Sequence, residues 1–462
     1  MSASPTLTRV TPPDRSLVGQ VVLPGDGRFD EARRAWNLAV DQRPAAVIFP
    51  ESAAAVAAAL GYAARRGLRV AAQGTGHNAG PLGPLTDTVL LRTDRMRGIR
   101  IDPQARTARA EAGVVWLDVV QAAARHGLAA LAGSSPDVGV TGYTLGGGLG
   151  FLGRKYGLAA SNVLAAEVVL ADGRVVRADA EHETELFWAL RGGGGSFGVV
   201  TALEFRLFPH TDADAGALWY PIERASEVLH AWAELTQRQV PDELTTIGRF
   251  LNFPLIEQIP EPVRGKSFVI VEVYHVGDPA QAAALLAPLR ALGPVNDTIT
   301  SVPMPALSHL HMDPEQPVPG AADGMMIASL PTEAVDAFVN AAGPGAAFPL
   351  LTAEIRHLGG EFARPHPSSG ALACVNAGYV LHAASLTPVP DLVAPVTAQI
   401  ETIKGALAPW AARQMYLNFA ETQHPRAPFW TEQAYQRLRQ IKASVDPGDI
   451  IRSNHPIPPA DH

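Results

Sequence analysis

Four places in the 462-residue sequence carry residue types at spacings that could do chemistry. The first is Gly74-Thr75-Gly76-His77-Asn78, one imidazole inside a glycine loop. Glycines let backbone N–H groups approach a pyrophosphate closely, so the loop reads as an anion-cradling nest. Its histidine serves either function or the loop's own hydrogen bonding, and position alone leaves both open. The second is a pair of G-x-G-x-x-G matches, Gly148 to Gly153 and Gly193 to Gly198. A dinucleotide fingerprint needs a strand before it and a helix after it. The second match has the reverse order, and the first follows a turn-rich segment with Glu167 opening a strand where the ribose ligand should end one. The third, Gly194-Gly195-Ser196-Phe197-Gly198, spells a hydrolase nucleophile elbow and meets the same objection of order, so a close-packing glycine turn is the better reading. The fourth is His309-Leu310-His311, two imidazoles on one face of an expected strand. No third ligand stands at zinc spacing, which leaves them as surface or core histidines and no metal site expected.

The elements that must position the first loop are legible. Val47-Ile48-Phe49 reads as a buried strand, Ala53 to Arg66 as an alanine-rich helix stopped by Gly67, and Val70-Ala71-Ala72 as a second strand emptying into the loop. Strands are expected at Thr88 to Leu91, Thr107 to Ala110, Val163 to Leu170, Val175 to Arg177 and Val199 to Leu207. Helices are expected at Trp116 to Arg125 and Glu183 to Leu190, with a hairpin turn at Ala171-Asp172-Gly173-Arg174. Thr211 to Gly216 looks like a domain boundary. Beyond it, strands near Ser267 to Tyr274, Met325 to Ser329, Leu351 to His357 and Leu372 to Leu381 join helices near Ala225 to Gln237 and Ala280 to Leu292 in an α+β unit. The tail reads as a strand, Gln414 to Phe419, and a helix, Thr431 to Lys442.

Composition bounds the function class. With 47% hydrophobic and 18% charged residues the chain can bury a large core, and 42 Gly with 39 Pro and no repeat indicate a loop-rich enzyme. A net charge of −8 without a basic block argues against nucleic acid. The single cysteine, Cys374, makes no internal disulfide and fits a reducing compartment. Met1 to Pro5 opens no signal-peptide core, and no stretch reaches the roughly 18 apolar residues of a membrane span. The expectation is a cytoplasmic protein without a membrane partner; the oligomeric state stays open.

Several motifs in fixed order then resemble one family. Arg43-Pro44, the Gly-Thr-Gly-His-Asn loop, Gly139-Val140-Thr141-Gly142-Tyr143-Thr144-Leu145-Gly146-Gly147-Gly148-Leu149-Gly150, Lys155-Tyr156-Gly157-Leu158, Leu186 to Gly192 and Phe197 to Thr201 are similar to the FAD-linked oxidases related to berberine bridge enzyme. So are Tyr416-Leu417-Asn418, Tyr435 to Leu438, Lys442, Asp446-Pro447 and Asn454. The resemblance covers residues from about 30 to 210 and 410 to 458; the middle third matches only weakly. It implies an α+β, two-domain fold like that of vanillyl-alcohol oxidase. An FAD-binding domain would comprise residues 1–210 and the returning segment 410–462, and a substrate domain with an antiparallel sheet would comprise 211–409.

The resemblance also implies roles. FAD would be held covalently by His77, with Gly74, Thr75, Gly76, Asn78, Val138, Gly142, Tyr143, Gly146, Gly147, Gly148, Gly150, Asn162, Gly198, Val200, Asn418 and Asn454 around it. Relatives with two covalent links use a cysteine where Ser135 stands, so one link is expected. The enzyme would take a hydride from a small-molecule alcohol or amine and pass electrons to O2, giving hydrogen peroxide. Tyr416, two residues from Asn418 on the expected strand, would be base or substrate anchor, although a phenol near pKa 10 needs neighbouring cations or hydrogen bonds to serve as a base at neutral pH. Glu354, sharing a face with Thr352 and Arg356, and Asn376, sharing one with Cys374 and Gly378, are candidate substrate contacts. The resemblance also places at Val138 a gate for oxygen, which a valine leaves open, as an oxidase requires; the alternatives are a flavin dehydrogenase of the same fold, a serine hydrolase using Ser196, and a flavin-binding module without turnover.

Overall fold

The computed structural model describes residues 17, 20–366, 368–424 and 428–461. The reading of Met1 to Pro5 lies outside the described residues. Three sheets organise the chain. The first is mixed: Val21–Val22 pairs antiparallel to Ala46–Ile48, and Thr88–Arg92, Arg69–Gln73 and Ile451–Arg452 follow in parallel. The helix Ala53–Ala64 makes the crossover between its strands. Ser52 caps it by accepting from the Ala55 amide at 3.2 Å, and Gly67 ends it at a positive φ of 63°. Val56 and Leu60 of this helix join the core of the mixed sheet to Val169 and Val199 of the second sheet. That second sheet is antiparallel, in the spatial order Ile99–Asp102, Thr107–Glu111, Val199–Arg206, Val163–Val169, Val175–Asp179.

The tail is tied back by charge. Lys442 in the helix Glu432–Val445 and Asp446 at its end are both fully buried. Lys442 donates to the Asp446 carboxylate at 2.5 Å and to the carbonyls of Ser196 and Ile451 at 2.9 Å. Asp446 also accepts from the amides of Ile450 and Ile451 at 2.9 and 2.8 Å. This network fixes Ile451–Arg452 beside Arg69–Gln73, the strand that feeds the histidine loop.

The third sheet has eight antiparallel strands, with Asp212–Pro221, Ser267–His275, Leu244–Asn252, Thr352–His357, Tyr379–Leu386 and Gly320–Ile327 adjacent in that order. Helices Ala225–Gln237, Thr332–Ala342 and Val393–Leu407 cover one face, where Leu218, Trp232, Phe250, Phe338 and Ile403 form one core. The helix Ala225–Gln237 buries Ala225, Val228, Leu229, Trp232 and Ala233, the i, i+3, i+4, i+7 stripe of a helix lying on a sheet. It comes so close that a Cβ at Gly248 would stand 2.8 Å from the Trp232 ring. The opposite face sets Arg249, Glu272, Glu354 and Arg356 among apolar residues such as Ile247, Leu251 and Ile270, and closes over the histidine loop.

Most of the stretch Thr211 to Gly216 lies in the strand Asp212–Pro221 of the large sheet. Three expectations are corrected here. Gln414 to Phe419 is irregular, with a 3₁₀ turn at Leu417–Phe419. The strand expected from Leu372 starts only at Tyr379, which leaves Cys374 and Asn376 in a loop. His309 lies in a short helix, Leu307–Leu310, with His311 at its end. No helix among the described residues is long and apolar enough to cross a membrane.

Candidate active site

The strand Arg69–Gln73 delivers the loop 74–78 to one end of a cavity of about 600 Å³ between the first two sheets and the charge-bearing face of the third. Gly76 turns the chain at φ +88°, where a Cβ would also stand 3.0 Å from the Ala35 backbone, so only glycine fits. The His77 ring stacks on Trp36 with centroids 4.1 Å apart. Its Nδ1 is 2.8 Å from Thr75 Oγ1, and its Nε2 is 3.3 Å from Asp137 Oδ1 without a formed hydrogen bond. Trp36 Nε1 donates to the other oxygen of Asp137 at 2.5 Å. The imidazole is thus fixed in plane by a stacked indole and in rotation by the Thr75 hydroxyl.

The second wall is the segment that starts the helix Val140–Leu145. Val138, Gly142, Tyr143 and Gly146 line it, and the Tyr143 ring sits edge-on to Trp116. Burial drives the Tyr143 phenol well above its usual pKa, and its hydroxyl has no partner among the described residues. At Gly146 a Cβ would collide with Asn418, whose amide donates to the Tyr143 carbonyl at 2.9 Å and to the Tyr416 hydroxyl at 3.0 Å. Tyr416 Oη also accepts from the amides of Gly148 and Leu149 at 3.0 and 2.9 Å. Burial pushes this phenol up to about 12 despite those bonds.

The third wall is the charge-bearing face of the large sheet. His311, 2% exposed, has Nδ1 at 2.7 Å from Glu272 and Nε2 at 3.0 Å from Glu354. Burial disfavours its charge, but the two carboxylates outweigh burial and push it up to about 9; Nδ1 hydrogen-bonds Glu272, while the Glu354 oxygen facing Nε2 forms no hydrogen bond. Arg249 lies 3.1 Å from Glu272, and Arg356 lies 2.6 Å from Glu354. Glu354 is fully buried; against that burial, Arg356 and His311 hold its carboxyl well below the usual range. Asp313 accepts from Ser134 and Ser135 at 3.0 and 2.5 Å, joining the second wall to the third.

Most of the residues named from sequence meet here. Gly74, Thr75, Gly76, His77, Asn78, Val138, Gly142, Tyr143, Gly146, Gly198, Val200, Asn418, Asn454 and Tyr416 line the one cavity. Gly147, Gly148 and Gly150 do not: side chains at these glycines would meet Leu372, Ala159 with Tyr143, and the Ala132 carbonyl, so their smallness serves packing. Asn162 instead donates to the carbonyls of Tyr156 and Leu158 at 2.8 and 3.0 Å. Glu354 stands behind the wall, and Asn376 is exposed and away from it. Ser196 shares a hydrogen bond with Ser453 at 2.8 Å and accepts from the Ile457 amide. No histidine among the described residues bonds to it, so it lacks the base a hydrolase needs.

Sequence reasoning missed Trp36, Asp137, Arg249 and His382, and passed over His311. Their only signal is assembly in space from segments far apart in the chain.

The cavity's own polar atoms test whether FAD fits. Gln73, His77, Asn78, Thr141 and Tyr143 each bring to its wall a buried side-chain atom without a partner among the described residues. Such orphaned atoms are rare in proteins unless a bound group completes them. At Gly142 a Cβ would meet nothing within 4 Å, so backbone stands open to the cavity there, as a dinucleotide requires.

Comparison with known proteins agrees. Residues 44–179 match the FAD binding domain family, and residues 415–458 match the family described as berberine and berberine like. The chain is 28% identical to (R)-6-hydroxynicotine oxidase of Paenarthrobacter nicotinovorans, over 96% of this chain and 97% of that protein. It is 30% identical to chitooligosaccharide oxidase of Gibberella zeae over 62% of this chain and 57% of that one. The crystal structure of 6-hydroxy-D-nicotine oxidase from Arthrobacter nicotinovorans superposes with a TM-score of 0.81 at 26% identity, covering 96% of this chain and 98% of that one. Fold, cavity and these matches together assign the chain to the berberine bridge enzyme-like family of FAD-linked oxidoreductases, whose α+β two-domain fold it shares.

Proposed function

We propose that the chain is an oxidase in which FAD is attached covalently through His77 alone, and which oxidises a small-molecule alcohol or amine with O2 as acceptor and hydrogen peroxide as product. The observation that carries this reading is the pre-set His77 ring in the cavity wall, with one nitrogen lacking a formed hydrogen bond. A second link is absent from the reading because Ser135 cannot form a thioether and its hydroxyl is engaged by Asp313. The residues that would hold FAD are the loop 74–78, Tyr143, Gly146, Asn418 and Asn454. The cofactor would supply a hydride acceptor there. Residues 1–210 with 410–462 would form the FAD-binding part and 211–409 the substrate part. The lone cysteine supports a cytoplasmic location.

The chain's own residues orient and polarise. Asn78 donates to the carbonyls of Leu417 and Ala420, holding the tail against the histidine loop. The cationic cluster of the large sheet faces the same space and would favour negative charge developing on substrate oxygen. After denaturation on a gel, the wild-type band should fluoresce as flavin, and His77→Ala should lose that band. Fluorescence that persists in His77→Ala, or flavin released from wild type by acid, overturns the single-link reading.

A further inference from the structure

Oxidation of an alcohol or amine needs a group that takes the O–H or N–H proton, and most titratable groups at this cavity are already engaged. His311 is bracketed by Glu272 and Glu354 and carries its proton. Glu354 lies behind the wall and is paired with Arg356. Asp313 accepts from two serines, and the Tyr416 hydroxyl accepts from three donors. His382 differs. It lines the cavity with its side chain 20% exposed, and no hydrogen bond reaches it from any described residue. Its strand, Tyr379–Leu386, places it opposite Glu354 on one side and Gly324 on the other. The ring packs on Phe419 with centroids 4.6 Å apart, and the Arg356 guanidinium lies 5.2 Å from the centre of the same phenyl ring. An imidazole without a hydrogen bond, its Nδ1 3.8 Å from Glu354, and a guanidinium thus stand at one aromatic ring in the cavity wall.

The rest of the wall speaks to the substrate. Leu251, Phe253, Pro254, Ile256, Leu351 and Leu386 line the cavity on the large-sheet side, a mainly apolar surface in which Thr352 and Ser385 supply the hydroxyls. Ile256 and the neighbouring Leu255 are 46% and 81% exposed, which continues the apolar surface outward. Of the charged cluster, Arg249, His311, Arg356 and Asp313 line the cavity, while Glu272 and Glu354 do not. That cluster therefore turns three cations and one anion to the cavity, whose wall also holds Arg452 and Glu421, a poor reception for an ammonium and a good one for an alkoxide.

We propose that His382 takes the hydroxyl proton of an alcohol substrate with an apolar body, beside the Arg356 guanidinium that stabilises the oxygen. The O–H bond breaks toward the imidazole lone pair and leaves an imidazolium. The carbinol C–H bond gives up its electron pair as hydride to FAD, the C=O bond forms, and the imidazolium later returns its proton to solvent. This deepens the proposed function and rests on FAD occupying the cavity. Burial holds His382 below the ordinary histidine pKa, so the base is ready at neutral pH. The charges facing it are Glu354 and Arg356 from the adjacent strand and Asp313 and His311 from the loop across the cavity; Tyr416 lies beyond Phe419 on the tail.

The probe is 4-cyanophenol with the holoenzyme. It has no hydrogen on the hydroxyl-bearing carbon, so it binds without turnover, and its phenolate is resolved from the phenol by difference absorbance. Wild type should bind it as phenolate at pH 6.5, and His382→Gln should bind the neutral phenol at least tenfold more weakly. Imidazole added to His382→Ala should restore the phenolate signal. A phenolate signal retained in His382→Gln, or no binding to wild type, overturns the proposal. So does tighter binding of benzylammonium or of N,N′-diacetylchitobiose in competition. The flavin spectrum of each preparation reports separately on the cofactor: colourless protein defeats the FAD reading, whereas yellow protein without phenolate defeats only this one.

Discussion

Replacing Lys442 by methionine tests whether the tail is held by its buried charges. Methionine keeps the length of the stem, so packing loss is small. What disappears is the ammonium that bonds Asp446 at 2.5 Å and the carbonyls of Ser196 and Ile451 at 2.9 Å. Breaking a buried pair from one side costs about 3–5 kcal/mol, because the other charge stays behind uncompensated. Asp446 keeps two backbone donors, Ile450 and Ile451, which argues for the lower end, about 3 kcal/mol. Two orphaned carbonyls add to the loss, roughly 1 kcal/mol each if water cannot reach them. The assay is urea unfolding at pH 7 and one fixed FAD concentration, read as a lower midpoint at unchanged slope. The double variant Lys442→Met with Asp446→Asn removes the stranded charge and should recover part of the loss. A loss under about 1 kcal/mol, or a double variant no better than Lys442→Met alone, would refute the reasoning.

Val138 lines the cavity and, as a gate for oxygen, should matter by size. Stopped-flow mixing of photoreduced enzyme with air-saturated buffer should give fast reoxidation in wild type and slow reoxidation in Val138→Leu, whereas equal rates disprove the gate. Tyr416→Phe strips the shared acceptor from the Gly148 and Leu149 amides and from Asn418, and should cost about 1–3 kcal/mol in the same urea assay. His311 is raised in the folded state to about 9 from an ordinary 6.5. Its contribution is therefore complete below pH 6.5 and disappears as pH climbs to about 9, on the order of 3 kcal/mol at most. The wild type should lose stability over that window relative to His311→Gln, and parallel pH profiles of the two would exclude the imidazolium.

The glycine loop and its strands could be read along the chain because their signals are local. Gly67 and Gly76 need positive φ, and Ser52 caps its own helix. The large sheet was harder. Asp212-Ala213-Asp214-Ala215-Gly216 has little β-propensity, yet its last three residues pair in register with Ser267–His275 and its first four with Thr300–Pro303, so neighbouring strands supply the packing. Leu244–Asn252 hid in plain view: Arg249 in its middle reads as surface, but is 1% exposed because Glu272 and His311 lie against it. His311 looked idle beside His309 for the same reason, since its partners come from two other strands. Tyr416 and Asn418 were expected to share a strand face; they meet instead through an irregular turn, with their side chains hydrogen-bonded directly.

The return of the tail also dictates when the molecule can finish folding. Arg69 bonds to Asp449, 380 residues further on, and Ile451–Arg452 supplies the edge strand beside Arg69–Gln73. Until the ribosome has made that stretch, the edge of the mixed sheet that carries the histidine loop lies open to other chains. At about 5–20 residues per second, the wait lasts roughly 20–80 s. A nascent chain of this protein therefore carries an open sheet edge for that time, and a chain cut short before Ile451 cannot complete the sheet that carries the histidine loop.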